Sequence, residues 1–264
     1  MNDADFTHLV TRVLGHSTPR VWSLLVTMFG DLAVASDARL SGLTVNAITA
    51  AIGIKPEATR VALHRLRKEG WIESHRTGRQ TRYALTVTGR NETNAAWPRV
   101  YGPAPADIQA YLVMDAPTAQ TETLLGRRTN TAVQIGPKTF VTTKTDAADQ
   151  QLALAIGPQD DIPQWLSDKL CTPAAQVASQ ELAMRLSLLR DTQALEQLPL
   201  LQRTALRVVV VHEWRRLILR VPTLPEDLYS AKWQGAACRV LFNELLARLP
   251  AADVDELEKE IDAA

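Results

Sequence analysis

The chain has 264 residues, enough for two or three modest domains. Its 46% apolar and 22% charged residues, with 29 Lys and Arg against 29 Asp and Glu, match an ordinary soluble globular protein and exclude disordered or collagen-like chains. No apolar run exceeds five residues, far short of the roughly 20 that a membrane-spanning helix needs, and the start MNDADFTH has neither basic residues nor an apolar stretch. Cys171 and Cys238 form no CxxC pair, so the expectation is a reducing cytoplasm with both thiols acting as small buried hydrophobes.

The zero net charge hides an asymmetry. Residues 1–90 hold 12 Lys and Arg against 7 Asp and Glu, and four of the five histidines. Between Lys55 and Arg82, eight basic residues face three acidic ones, the local cluster that a polyanion-binding surface needs.

Thr18-Pro19 followed by Trp22, Leu25, Val26 and Phe29 predicts a helix with an N-terminal cap, ended by Gly30. A second short helix is predicted over about 45–52, stopped by Gly53. A third opens on Pro56 and Glu57 and closes on Lys68, Glu69 and Gly70. Two helices joined by a short Gly-containing turn form a helix-turn-helix pattern. At 100° per residue, Thr59, Ala62, Leu63 and Leu66 make an inward stripe; the opposite arc holds Glu57, Val61, His64 and Lys68, flanked by Arg60, Arg65 and Arg67. Such a helix has the properties of a recognition helix in a DNA major groove. Residues 71–76 and 80–86 then read as two strands around Thr77-Gly78-Arg79, with Arg76, Arg79 and Arg82 at or near the tip of this wing. The expected DNA-binding set is Lys55, Thr59, Arg60, His64, Arg65, Lys68, Arg76, Arg79 and Arg82, Thr59 being counted although it also lies on the inward stripe.

The phrase GIKPEATRVALHRLRKEGWIESHRTGRQTRYALTVTG resembles the winged helix-turn-helix module of the PaaX-type repressors of bacterial phenylacetic acid catabolism, and HEWRRLILRVPTLPEDLYSAKWQGAACRVLFNELLARL resembles their C-terminal domain. The resemblance implies a cytoplasmic, homodimeric repressor on a palindromic operator, with an aromatic acyl-CoA such as phenylacetyl-CoA as effector. It departs from the family pattern at Val221-Pro222 and Ser230-Ala231. For a CoA thioester, the aromatic and basic residues Trp214, Arg215, Arg216, Tyr229, Trp233 and Arg239 are the candidate effector set; the competing reading is tryptophans in the core and solvated arginines.

Asn91–Pro105, with Trp97-Pro98 and Gly102-Pro103-Ala104-Pro105, reads as a linker at a domain boundary. Strands are predicted over 108–114, 132–135, 138–143 and 152–156, and a helix over 119–127, a small ferredoxin-like domain. PaaX-type proteins resemble the nuclease Cas2 in this region, which implies a dimerisation domain. Asp115 stands where Cas2-like nucleases place a metal-binding aspartate, and equally where an aspartate caps a strand exit. Neither HExxH, GxSxG, GxGxxG nor GxxxxGK[ST] occurs, so no cofactor, metal or enzymatic activity is expected. The fold class is therefore α+β, in three parts: a winged helix-turn-helix (1–95), a central ferredoxin-like, Cas2-like domain (96–171) and a helical C-terminal domain (172–264) ending in a frayed acidic tail, Asp253 to Asp262. The alternatives are a DNA-binding regulator without an effector and a metal-dependent nuclease.

Overall fold

The computed structural model describes residues 3–15, 19–78, 80–104, 108–116, 130–143, 151–157, 160–193 and 195–263. The protein is mixed α+β, with two antiparallel sheets. The chain divides into two compact units. The first gathers residues 1–102, 182–216 and 236–264, and the second 103–181 and 217–235. This grouping differs from the three consecutive blocks expected, because most of the C-terminal helical residues pack with the N-terminal hundred.

In the first unit, α1 (Asp3–Leu14) buries Phe6, Leu9, Val10 and Val13 on one face. Helix α2 (Val21–Leu32) starts with Arg20 at its cap; Thr18 lies outside the described residues. Gly30 does not end α2: it sits inside the helix, where an added Cβ would come within 3.1 Å of the Thr93 methyl, so its small size serves close packing. Strand β1 (Leu40–Ser41) leads into α3 (Gly42–Ala51), whose cap Ser41 accepts a hydrogen bond from the Thr44 amide. Gly53 adopts φ +87°, the left-handed conformation expected of a helix-stopping glycine. Helix α4 (Pro56–Lys68) follows, then β2 (Ile72–Thr77) and β3 (Gln80–Leu85), paired from Ile72–Leu85 to Thr77–Gln80; β1 adds to the other side of β3. The stretch expected as a linker is instead helix α5 (Val87–Val100), capped by the Thr86 hydroxyl. Pro98 is tolerated in its last turn, and Trp97 stacks on Tyr101 at 4.1 Å between ring centres.

The second unit holds β4 (Ala110–Asp115), β5 (Ala132–Gly136), β6 (Thr139–Thr142) and β7 (Gln151–Ile156), all antiparallel in the order β5-β6-β4-β7. The helix expected over 119–127 lies outside the described residues. Helix α6 (Gln164–Leu170) and the start of α7 (Pro173–Arg190) follow. The boundary between the units falls within α7 and again near the end of α8 (Leu200–Ile218), before α9 (Gly235–Arg248).

The tail expected to be frayed is helix α10 (Val254–Ala263). Leu257 is fully buried, and the neighbouring Glu258 side chain is only 11% exposed. Its acids alternate with Val254, Leu257 and Ile261 at helical spacing, so the segment is amphipathic and docks on α3.

The core of the first unit runs from Leu24, Leu25, Met28 and Phe29 of α2 to Trp214 of α8 and Phe242 of α9. It encloses a polar cluster. Asp31 accepts two hydrogen bonds from Arg207, at 2.7 and 2.8 Å, and one from the Tyr101 hydroxyl at 2.7 Å, while Arg207 also donates to the Leu249 carbonyl. Burial, with the Asp31 carboxylate beside it, pushes the Tyr101 phenol pKa up. Among the described residues no helix is long and apolar enough to cross a membrane.

Candidate nucleic-acid interface

Helix α4 is held from its inner side. Thr59 is fully buried and donates to the Thr49 hydroxyl of α3 at 3.0 Å, while Ala62, Leu63 and Leu66 complete the buried stripe. The inward stripe therefore matches the expectation, but Thr59 corrects the DNA-binding set: a side chain bonded inside the α3–α4 contact is not available to a nucleic acid.

The outward side presents Arg60, Val61, His64, Arg65, Arg67 and Lys68, all exposed, with Lys55 exposed at the helix cap. His64 and Arg67 form a ridge between two hollows. One is lined also by Asn46, Arg60 and Tyr83, the other by Lys68, Glu73 and Ser74. A cationic ridge with space on both sides is a shape that can enter a groove, with arginines placed for guanine edges or phosphates.

The cations are not equally free. Arg65 donates to Glu69 at 2.8 Å and lies over the Trp22 ring, whose indole N–H also donates to Glu69. The hydrogen bond from Arg65, and that from Trp22 behind it, hold the Glu69 carboxyl below its ordinary pKa against the effect of burial. Arg76 on β2 is exposed and reaches the Gly78 carbonyl; Arg79 lies outside the described residues. Arg82 is not at the hairpin tip. It stands opposite His75 in the ladder and is ion-paired to Glu258 of α10. Glu258 also accepts from the Ser41 amide at 2.9 Å and from the Thr44 hydroxyl, so one tail carboxylate ties β3 to the start of α3. Sequence reasoning missed Glu258 because a run of acids reads as solvated; the apolar spacing of α10 was the available signal.

The six candidate effector residues are split. Tyr229 and Trp233 lie in the second unit in edge contact at 5.9 Å, the Tyr229 hydroxyl donating to the Pro222 carbonyl. Trp214 is fully buried, donates to the Val100 carbonyl and packs on Phe242, while Arg239 lies over its ring and donates to Gly102. Arg216 pairs with Glu213, as does Arg185. Arg215 lines a cleft of the first unit. The tryptophans are core, as the competing reading held; Arg216 and Arg239 are tied to partners within the fold, while Arg215 stands half-buried in the cleft lining.

Asp115 ends β4 and accepts a hydrogen bond from Gln151 of β7 at 2.8 Å. Among the described residues no group of three or more His, Cys, Asp or Glu is arranged to hold a metal ion. Both cysteines are buried, and burial first, then Asp168 and Glu226, pushes the Cys171 thiol up to about 11.

With helix, turn, basic helix and basic hairpin in one unit and docked C-terminal helices beside them, the comparisons are consistent with the architecture. Residues 20–89 match the family described as PaaX-like protein, and residues 178–257 match the PaaX-like protein C-terminal domain. The chain belongs to the PaaX-like family. Among its relatives, Transcriptional repressor PaaX of Escherichia coli (strain K12) is 26% identical over 257 residues, covering 87% of this chain and 81% of that protein. A solved structure, uncharacterized protein Rv0674 from Mycobacterium tuberculosis, aligns over 90% of this chain and 95% of its own with a TM-score of 0.48 and 19% identity.

Proposed function

We propose that this protein is a transcriptional repressor, a regulator and not an enzyme, in which α1–α5 and β1–β3 act as a winged helix-turn-helix and the β4–β7 sheet as a ferredoxin-like dimerisation domain. The observation that carries the reading is the outward face of α4, where Arg60, His64, Arg67 and Lys68 stand exposed beside a basic hairpin. In this reading a two-fold homodimer sets two α4 helices in successive major-groove turns of a palindromic operator. The relative's name, a transcriptional repressor, supports it.

The effector in this reading is an aromatic acyl-CoA such as phenylacetyl-CoA, which releases the DNA by binding more tightly to a dimer geometry that misaligns the two helices. Only that difference in affinity drives release. The test is a mobility shift with the DNA upstream of the protein's own gene, at a fixed salt concentration, with and without phenylacetyl-CoA. A specific shift undone by the thioester supports both halves of the reading. A specific shift that persists overturns the effector and keeps the repressor; no specific shift overturns the DNA-binding reading.

A further inference from the structure

The first unit contains a cleft between α2, α5 and α8 that belongs neither to the α4 surface nor to the core packing of Trp214. Its walls include Trp71, Trp97, Tyr101 and Val211, with Gly30 of α2 packed against Thr93 in the lining. Trp97 is 40% exposed at its edge. Counting the open mouth it spans about 370 Å³, within the range of small-ligand clefts.

Two polar groups in the lining lack partners among the described residues. The Thr93 hydroxyl is buried with no hydrogen bond. The Arg215 guanidinium, half-buried, has no hydrogen bond or ion pair among the described residues; its electrostatic neighbour is the Tyr101 phenol, whose hydroxyl donates to Asp31. Burial lowers the Arg215 pKa from its ordinary value, as expected for a desolvated cation without a counter-charge. Arg207, Arg185 and Arg239 of the same unit, by contrast, each donate to an acid or a carbonyl. Unsatisfied donors in an apolar, aromatic-walled recess have the chemistry of a ligand site rather than of a core. Glu92, also in the lining, is exposed and disfavours a polyanion.

We propose that this cleft binds a small apolar monocarboxylate, with Arg215 and Thr93 taking the carboxylate and Trp97, Tyr101 and Trp71 flanking the apolar body. The site has a path to α4. Trp71 meets Trp22 edge-on at 6.2 Å, and Trp22 contacts both Arg65 and Glu69 at the C-terminal end of α4. Occupancy that moves Trp71 therefore moves the end of the basic helix. This second step rests on the DNA-binding reading; the site itself does not.

The test titrates the full-length protein with benzoate and hexanoate, using benzyl alcohol as the uncharged control, by calorimetry and by the fluorescence of the lining tryptophans. Both acids are expected to saturate with Kd of about 0.1–1 mM. Arg215→Met should weaken them about ten- to a hundredfold, in line with the loss of a charge-assisted hydrogen bond, with benzyl alcohol as weak on the parent protein as the acids are on the variant. Because methionine replaces a desolvated charge with an apolar chain, its unfolding temperature should hold; Ala96→Leu, which fills the cleft from α5, provides an independent second block. Absence of saturation up to about 10 mM, or affinity unchanged from the parent in both variants, overturns the site. A DNA mobility shift in saturating benzoate reads the second step: altered affinity supports the path through Trp71, and unaltered affinity overturns that path. If the protein alone shifts no DNA, the repressor reading fails while the titration still decides the site.

Discussion

Replacing Arg60 and Lys68 together with Ala tests the α4 surface quantitatively. Both side chains are exposed, and neither has a partner among the described residues. Their removal should leave folding stability within about 0.5 kcal/mol. On DNA each cation that neutralises a phosphate contributes about 0.9 to the slope of log K against log salt, so the double variant should flatten that slope by about 1.8. Extrapolated from 1 M, where the effect vanishes, this is a loss of about 30-fold at 0.15 M salt. A base contact by Arg60 would add a salt-independent loss of about 1–3 kcal/mol, seen as a vertical offset between the lines. Arg82→Ala provides the contrast: its charge is already met by Glu258, so it should change the slope by less than one free cation does. The assay is fluorescence anisotropy with operator DNA across a salt series. A slope unchanged in the double variant, or changed more by Arg82→Ala, refutes the assignment of the interface to the outward face of α4.

Three further outcomes follow from the interior. Asp31→Ala strands the buried Arg207 and should cost about 3–5 kcal/mol in urea unfolding, whereas Asp31→Leu with Arg207→Met should recover most of that loss; two additive losses would mean the pair is not coupled. Glu258→Ala removes the acceptor shared by Arg82, Ser41 and Thr44 and should destabilise the first unit by about 2 kcal/mol, read by thermal unfolding, while an unaffected midpoint would return α10 to the status of a loose tail. Burial outweighs Arg216 and Arg185 at Glu213 and raises its pKa, and one of its oxygens is buried without a hydrogen bond. A raised folded-state value means that this residue's contribution is fully present below the unfolded value of about 4.3 and is lost as pH rises through the folded one. Glu213→Gln should therefore match the parent near pH 4 and exceed it at neutral pH, and a parent that gains on the variant as pH rises would contradict the buried-acid account.

Much of the N-terminal module was legible because its determinants are local. Gly53 and Gly70 stand at positive φ where the sequence put helix stops, Pro56 starts α4, and the 100° arithmetic separated its buried stripe from its cationic face. The same local rules misread Gly30, Trp97-Pro98 and the acidic tail. A glycine, a proline or a run of acids punctuates a chain only when nothing packs against it; here α2 meets α5 at Gly30, Trp97 stacks on Tyr101 in the last turn of a helix, and Leu257 is buried.

Composition and periodicity by themselves determined the class of chain, its balance of charge, the helices α3 and α4 with their short turn and the hairpin that follows, and which side of α4 is basic, since each depends on residues within a few turns of one another. Only the tertiary structure decided which cations remain free. Arg82 meets Glu258 from 176 positions away, Asp31 meets Arg207 across the same separation, and Arg215 is left without a counter-charge in a cleft assembled from three distant helices. Pairing at such distances is set by which faces the packed core brings together, and no spacing along the chain encodes that geometry.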